Sequence, residues 1–228
     1  MIKAHPDQPY GNITYSQHGE DFLIVDLFKR LGINKPSYLD IGAHHPHIIS
    51  NTHLLYTRGS RGVNVEANPR LIEAFFIHRP EDININYGVM PEAGMYPFYL
   101  YSSSSGRNTF NKDEMARFLD EETTNDITDL HTQRIECRTL ADIIEHACKG
   151  VFPNFLNLDI EGYDYGVLDS YDFNFDNSPD VICVEVRNKD IHRMCTLMEV
   201  KGFSRYLRIG ENEIFIQPNH AKKLWYME

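Results

Sequence analysis

The sequence predicts an α/β fold in which a mostly parallel β-sheet carries helices on both faces and finishes in an antiparallel hairpin. Three observations carry that prediction. Short apolar runs alternate with helix-length segments; the first run ends in an acidic, glycine-containing turn, Asp40-Ile41-Gly42-Ala43-His44-His45-Pro46; and the last two runs are separated only by Gly210-Glu211-Asn212. Strands alternating with helices are joined by crossovers, which make the strands parallel and cover both faces of the sheet.

Residues 19–31 set Phe22, Leu23, Val25, Leu27 and Phe28 among charged neighbours, an amphipathic helix closed by Gly32. Strands are expected at 37–41, 62–66, 83–89, 154–159 and 181–186. Asn68-Pro69 starts a helix with proline in its first turn, and Thr139-Leu140-Ala141-Asp142 starts another. Helices at 164–171 and 189–201 complete the alternation, and 203–209 with 213–217 form the final hairpin. A parallel sheet with that ending is the Rossmann-like arrangement of a class I methyltransferase.

The irregular part is 91–133. It contains an aromatic strand, Tyr96-Pro97-Phe98-Tyr99-Leu100-Tyr101, then Ser102-Ser103-Ser104-Ser105-Gly106-Arg107-Asn108-Thr109-Phe110 and a charged helical piece. A connection this long usually has a task, and a lid is the expectation. The aromatic strand could serve as core, sugar platform or dimer surface, so a homo-oligomer is compatible with it. The reading is one domain over 1–228, with an N-terminal helical cover at 1–36 and an insertion or lid at 91–133.

The 228 residues, 42% of them hydrophobic and 12% aromatic, suffice for one substantial core. A net charge of -11 opposes a nucleic-acid partner, which would call for clustered Lys and Arg. Cys137, Cys148, Cys183 and Cys195 form no CxxC pair and read as reduced thiols of a cytosolic protein. No apolar stretch approaches a membrane span or a leader, so a cytoplasmic location without membrane contact is expected. The sequon Asn12-Ile13-Thr14 is then a chance occurrence.

In an open parallel sheet, ligands bind beyond the carboxyl ends of the strands. The residues there are Asp40, Glu66, Gly88, Asp159 with Glu161, and Glu185. An acid at the end of the second strand suits two ribose hydroxyls. The third glycine of a dinucleotide turn, however, is replaced by His45-Pro46. A nucleoside without pyrophosphate fits better, and S-adenosylmethionine is the common one.

Tyr15-Ser16-Gln17-His18-Gly19-Glu20-Asp21, the Asp40–Pro46 turn, Ser50-Asn51-Thr52, Asn64-Val65-Glu66-Ala67-Asn68-Pro69, Asn108-Thr109-Phe110 and Leu158-Asp159-Ile160-Glu161-Gly162 resemble the FkbM family of S-adenosylmethionine-dependent methyltransferases. The resemblance covers roughly 14–187 and implies O-methylation of a hydroxyl, often on a sugar in bacterial surface-polysaccharide or natural-product pathways. Gly42 and Ala43 would approach the methionine part, Glu66 the ribose with Ala67 and Asn68 nearby, and Gln17 would fold over the cofactor. Asp40, His44 and Gly88 complete the cofactor set. Where many relatives have Asn-Gly, this chain has His44-His45-Pro46, which leaves three roles open for the histidines: holding the cofactor, facing the acceptor, or bracing the turn.

Methyl transfer to oxygen needs the acceptor held in line and its proton removed. Asp159 is the expected positioning group or base, with Glu161 and His45 as rivals. Ser105, Arg107, Asn108 and Glu185 form the expected substrate set, Arg107 meeting the diphosphate of a nucleotide sugar. Asp159, Glu185 and Asn188 also offer oxygen ligands to a divalent cation, but no metal ligand is assigned, and His44, His45 and His47 are too crowded for a transition-metal trio. Two alternatives remain: a nicotinamide-dependent sugar oxidoreductase, which lacks its glycine-rich turn here, and a catalytically inactive cofactor-binding partner subunit.

Overall fold

The computed structural model describes residues 13–102, 105–121 and 130–225. Asn12 of the sequon, the first residues of the N-terminal cover, Ser103-Ser104 and positions 122–129 of the insertion lie outside the described residues. Described elements in chain order are α1 (Glu20–Leu31), β1 (Tyr38–Ile41), α2 (His53–Thr57), β2 (Gly62–Val65), α3 (Pro69–His78), β3 (Ile83–Ile85), β4 (Gly88–Val89) and β5 (Gly94–Leu100). There follow α4 (Lys112–Glu121), β6 (His131–Arg138), α5 (Leu140–His146), β7 (Phe155–Leu158), α6 (Asp164–Ser170), β8 (Val181–Glu185), α7 (Ile191–Val200), β9 (Ser204–Ile209), β10 (Asn212–Ile216) and α8 (Pro218–Trp225).

The main sheet has the order β3-β2-β1-β7-β8-β10-β9, parallel from β3 to β8 and antiparallel at β10. This is the Rossmann-like α/β arrangement expected. Local signals account for most of it. Gly32 closes α1, whose first turn carries Glu20 and Asp21 and whose last turn carries Lys29 and Arg30, opposite to the helix dipole. Asn68 caps α3 by accepting from Arg70 N–H, and Thr139 with Asp142 forms a reciprocal capping box on α5.

Successive residues of a strand point to opposite faces, so the short buried strands feed two cores. Leu39, Ile41, Leu156, Leu158, Ile182 and Val184 pack on one side with Ile143, Val167, Leu168 and Met198 from α5, α6 and α7. Tyr38, Phe155, Val181, Cys183, Ile214 and Ile216 pack on the other with Ile24, Leu27, Phe28 and Leu224 from α1 and α8.

The hairpin is present as expected, with its second strand lying beside β8. The reason is burial: all five residues of β10 are buried, whereas β9 is only partly covered and suits the edge. The run expected as one strand over 83–89 splits, because β4 leaves the main sheet and pairs with β6 in a second sheet of order β4-β6-β5. Gly88 permits this; a Cβ there would lie 2.4 Å from Cys137 Sγ and 2.5 Å from the Phe110 ring. Much of the stretch 91–133 is thus structured: β5, α4 and the start of β6 fold over the carboxyl ends of the main strands. No helix among the described residues is long and apolar enough to cross a membrane.

Candidate active site

The turn after β1 is held by backbone contacts that need glycine. Gly42 N–H and Ala43 N–H both donate to Val65 O, at 2.9 and 3.2 Å. Gly42 has φ +77°, and a Cβ on it would lie 1.7 Å from the carbonyl oxygen of Asp159. The turn therefore lies directly on the end of β7, beside the acids that follow it.

Glu66 closes the other side. It is buried, and its carboxylate accepts from His44 N–H at 2.8 Å and Asn68 N–H at 2.7 Å, tying the turn to the start of α3. Burial raises its pKa to about 7 against the opposing pull of these N–H donors.

Beneath the turn lies a buried polar network. Asp40 accepts from Thr52 Oγ1 and, at 2.9 Å, from Asn157 Nδ2; Asn157 in turn accepts from Asn51 Nδ2 at 2.9 Å. Arg79, fully buried, donates to Pro46 O, Thr52 Oγ1, Asn64 Oδ1 and Ser50 Oγ at 2.8–3.1 Å. One guanidinium thereby pins both ends of the segment between β1 and α2.

Beyond β7 and β8, Asp159, Glu161 and Glu185 each bring a carboxylate oxygen within 4.8 Å of the others. Burial raises all three, and repulsion adds to it, from Glu185 on Asp159 and Glu161 and from the neighbouring Asp164 on Glu185: Asp159 lies well above its ordinary range, Glu161 at about 9 and Glu185 at about 7. Asp159 and Glu185 are hydrogen-bonded to each other, the protonated Asp159 donating. Like charges this close share protons and titrate as a set. Thr109 Oγ1 donates to Glu161 O at 2.8 Å, which fastens the insertion to this acidic loop.

The acids form the floor of a cleft of about 810 Å³ whose lining includes Gln17, Asp40, Gly42, Ala43, Asn157 and Tyr165. Four arginines also line it: Arg107, Arg117, Arg187 and Arg193. Next to it is a recess of about 40 Å³ between Glu66, Ala67, Gly88, Phe98 and Phe110, and the two share Gly42, His44, Ser105, Gly106, Asp159 and Glu161 in their walls.

Residues 40–205 match the family described as the methyltransferase FkbM domain, well over half of the chain, including the Gly42 turn, Glu66 and the acidic trio. The chain belongs to the FkbM methyltransferase family. Among solved structures it is similar to methyltransferase FkbM from Methylobacillus flagellatus KT, at 14% identity and a TM-score of 0.46, covering 80% of this chain and 44% of that one. A precorrin-6y C5,15-methyltransferase from Geobacter metallireducens GS-15 is similar at 11% identity and a TM-score of 0.39, covering 86% of this chain and 85% of that one. This chain spans less than half the length of the first of these structures. No curated protein matches it.

This FkbM-family chain brings most of the sequence-derived site together and gives five of the residues singled out in the sequence other contacts. His45 lines neither cavity: its Nδ1 accepts from His47 N–H and Ile48 N–H, both at 3.1 Å, so it braces the turn. Asp40 spends both oxygens on Thr52 and Asn157, so it organises the turn from below. Asn108 lines the recess, but its amide accepts from Tyr101 N–H and donates to Ser102 O, closing its own loop. Asn68 serves as the α3 cap, and Asn188 accepts from Arg208, so Glu161 stands where Asn188 was expected among the clustered oxygens.

His44 keeps a place in both walls, with its ring 3.6 Å from the position of a Cβ on Gly106. Sequence reasoning named Arg107 but missed Arg79, Asn157 and the other three arginines of the cleft, Arg117, Arg187 and Arg193. A polar Asn157 inside an apolar strand was a readable signal; Arg79, between His78 and Pro80, offered none.

The donor set at Glu66 suits a nucleoside. A carboxylate has about four acceptor positions, and the backbone N–H groups of His44, Asn68 and Ala67 engage this one. Acceptor capacity remains for a ribose hydroxyl.

Proposed function

We propose that this chain is an S-adenosylmethionine-dependent O-methyltransferase acting on a sugar hydroxyl, of a nucleotide-activated sugar or glycan precursor, in bacterial surface-polysaccharide or natural-product biosynthesis. The observation that carries the reading is the pairing of Glu66 on one side of the Gly42 turn with Asp159, Glu161 and Glu185 on the other. One side suits a ribose, and the other suits an acceptor hydroxyl. The cofactor, when bound, supplies an electrophilic methyl group on a sulfonium.

The chain's own residues do the rest. Glu66 orients the ribose; the backbone of Gly42 and Ala43 leaves room for the amino-acid part; Gln17 covers it. The acidic trio accepts the hydroxyl proton as the new C–O bond forms and the C–S bond breaks. Raised pKa values near 7 and 9 bring these carboxylates toward the strength that proton transfer needs. The recess of about 40 Å³ is far below the roughly 300 Å³ at the low end of ligand sites, so Phe98, Phe110 and the turn at 105–108 move outward to admit a nucleoside. A cytoplasmic setting agrees with four free cysteines, two of them buried.

Calorimetry with S-adenosylhomocysteine tests the cofactor half. Binding to the wild type and strong weakening by Glu66→Ala are expected; no binding, or equal binding after the substitution, sinks it. Nucleotide-sugar and glycan pools incubated with S-adenosylmethionine and read by mass spectrometry for a gain of one methyl group test the acceptor half.

A further inference from the structure

The lining of the cleft carries both charges: Asp159, Glu161 and Glu185 cluster in it, and Arg107, Arg117, Arg187 and Arg193 line it as well. In a chain with 33 acidic and 22 basic residues, four arginines in one cavity call for a reason.

Two of them are already engaged. Arg117 and Arg187 both grip the buried carboxylate of Glu114, at 2.9 and 2.5 Å, and Arg187 also lies 3.7 Å from Asp190. Arg107 and Arg117 lie over the Phe118 ring, at 5.3 and 4.3 Å. Arg193 is different. It is exposed on the first turn of α7, its guanidinium lies flat over Tyr165 at 3.7 Å from the ring centre, and among the described residues no carboxylate pairs with it. Tyr165 itself sits on α6, one residue after Asp164 and directly beyond the acidic loop.

A guanidinium stacked on a ring is held in orientation while its N–H edge stays open. That edge matches two oxygens of a phosphate or carboxylate.

We propose that Arg193, oriented by Tyr165, binds an oxyanion of the methyl acceptor, so that the acceptor is an anionic polyhydroxy compound with its charge on Arg193 and its reacting hydroxyl at the acidic trio. The assignment rests on the methyltransferase reading for the word acceptor; the anion site itself does not. It moves the anion-binding role expected of Arg107 to a residue 86 positions later, on a different element. The volume of about 810 Å³ leaves room for a sugar together with its charged substituent.

The test titrates pyrophosphate and, separately, glucuronate into the full chain at low ionic strength, with wild type, Arg193→Gln and Arg58→Gln; Arg58 is an exposed arginine outside the cleft. S-adenosylhomocysteine is titrated into the same proteins. The wild type is expected to bind at least one of the two anions. Arg193→Gln weakens that binding about tenfold or more, as loss of a charge-assisted pair does, and leaves S-adenosylhomocysteine affinity unchanged. Which probe binds tells a phosphoryl from a carboxylate group. The proposal is overturned if neither anion binds the wild type, if Arg193→Gln binds as well as wild type, or if Arg58→Gln loses as much. Anion binding without S-adenosylhomocysteine binding would remove the methyltransferase reading and leave the anion site standing.

Discussion

Gly42 and the carbonyl oxygen of Asp159 approach so closely that a Cβ on Gly42 would stand 1.7 Å from that oxygen, at a φ of +77° that side chains rarely adopt. The turn after β1 and the loop after β7 are therefore one structural unit, and the Glu66 side and the Asp159 side of the site cannot separate. Gly42→Ala should cost roughly 3–5 kcal/mol, the strained backbone adding to the clash. Gly106→Ala is the control, because a Cβ there meets His44 only at 3.6 Å. Thermal unfolding of the two variants reads the difference; equal melting temperatures would contradict the close contact.

Arg79 is fully buried beneath the same turn, with four hydrogen bonds and with Asp40 close enough to feel its charge. Arg79→Met removes the charge and leaves buried Asp40 without it, at a cost of about 3–5 kcal/mol. Urea unfolding should show a lower midpoint with the slope kept. A midpoint like the wild type's would mean that the network does not hold the turn.

Cofactor binding should depend on the ionisation of Glu66, whose pKa burial raises from 4.5 to about 7. In the proposed binding mode ribose hydroxyls would donate to the carboxylate, so binding should favour the charged form and strengthen as pH rises through about 7, then level. Glu66→Gln should flatten that dependence and weaken binding about tenfold or more. Calorimetry with S-adenosylhomocysteine between about pH 5.5 and 8.5 measures both; a pH-independent wild type would sink the prediction.

The acidic trio predicts a stability profile. Folded pKa values of Glu161 and Glu185 lie above their ordinary 4.5, at about 9 and about 7. Such groups hold more protons folded than unfolded, so their stabilisation is complete below about pH 4.5 and is lost as pH rises to about 9. Glu185→Gln removes one charge from the set, eases ionisation of Asp159 and Glu161, and should make the fall in melting temperature over that window shallower. An unchanged slope would show that the three carboxylates are not coupled.

Most of the α/β layout was legible in the sequence because alternation, helix caps and glycine turns are local. The positions of α1, α3, α5, β1, β2, β7 and β8 follow from apolar spacing and from residues such as Asn68, Thr139 and Gly32. The acids at strand ends were legible too, since any parallel sheet gathers those ends along one edge. Asp159, Glu161 and Glu185 could thus be set near one another before their distance was known.

Other assignments depended on what stands across a gap. Nothing local distinguishes a histidine that faces a cleft from one whose Nδ1 accepts two backbone N–H groups, as in His45. Nothing local takes β4 out of the main sheet, seats β10 between β8 and β9, buries Arg79 whole, or lays Arg193 on Tyr165. The sequence by itself determined the alternating elements, the glycine turn and the acids at its rim, because spacing and backbone preference act within a few residues. Only the tertiary structure decided which of those polar groups brace the fold and which line the cleft, because burial and hydrogen-bond partners come from residues far away in the chain.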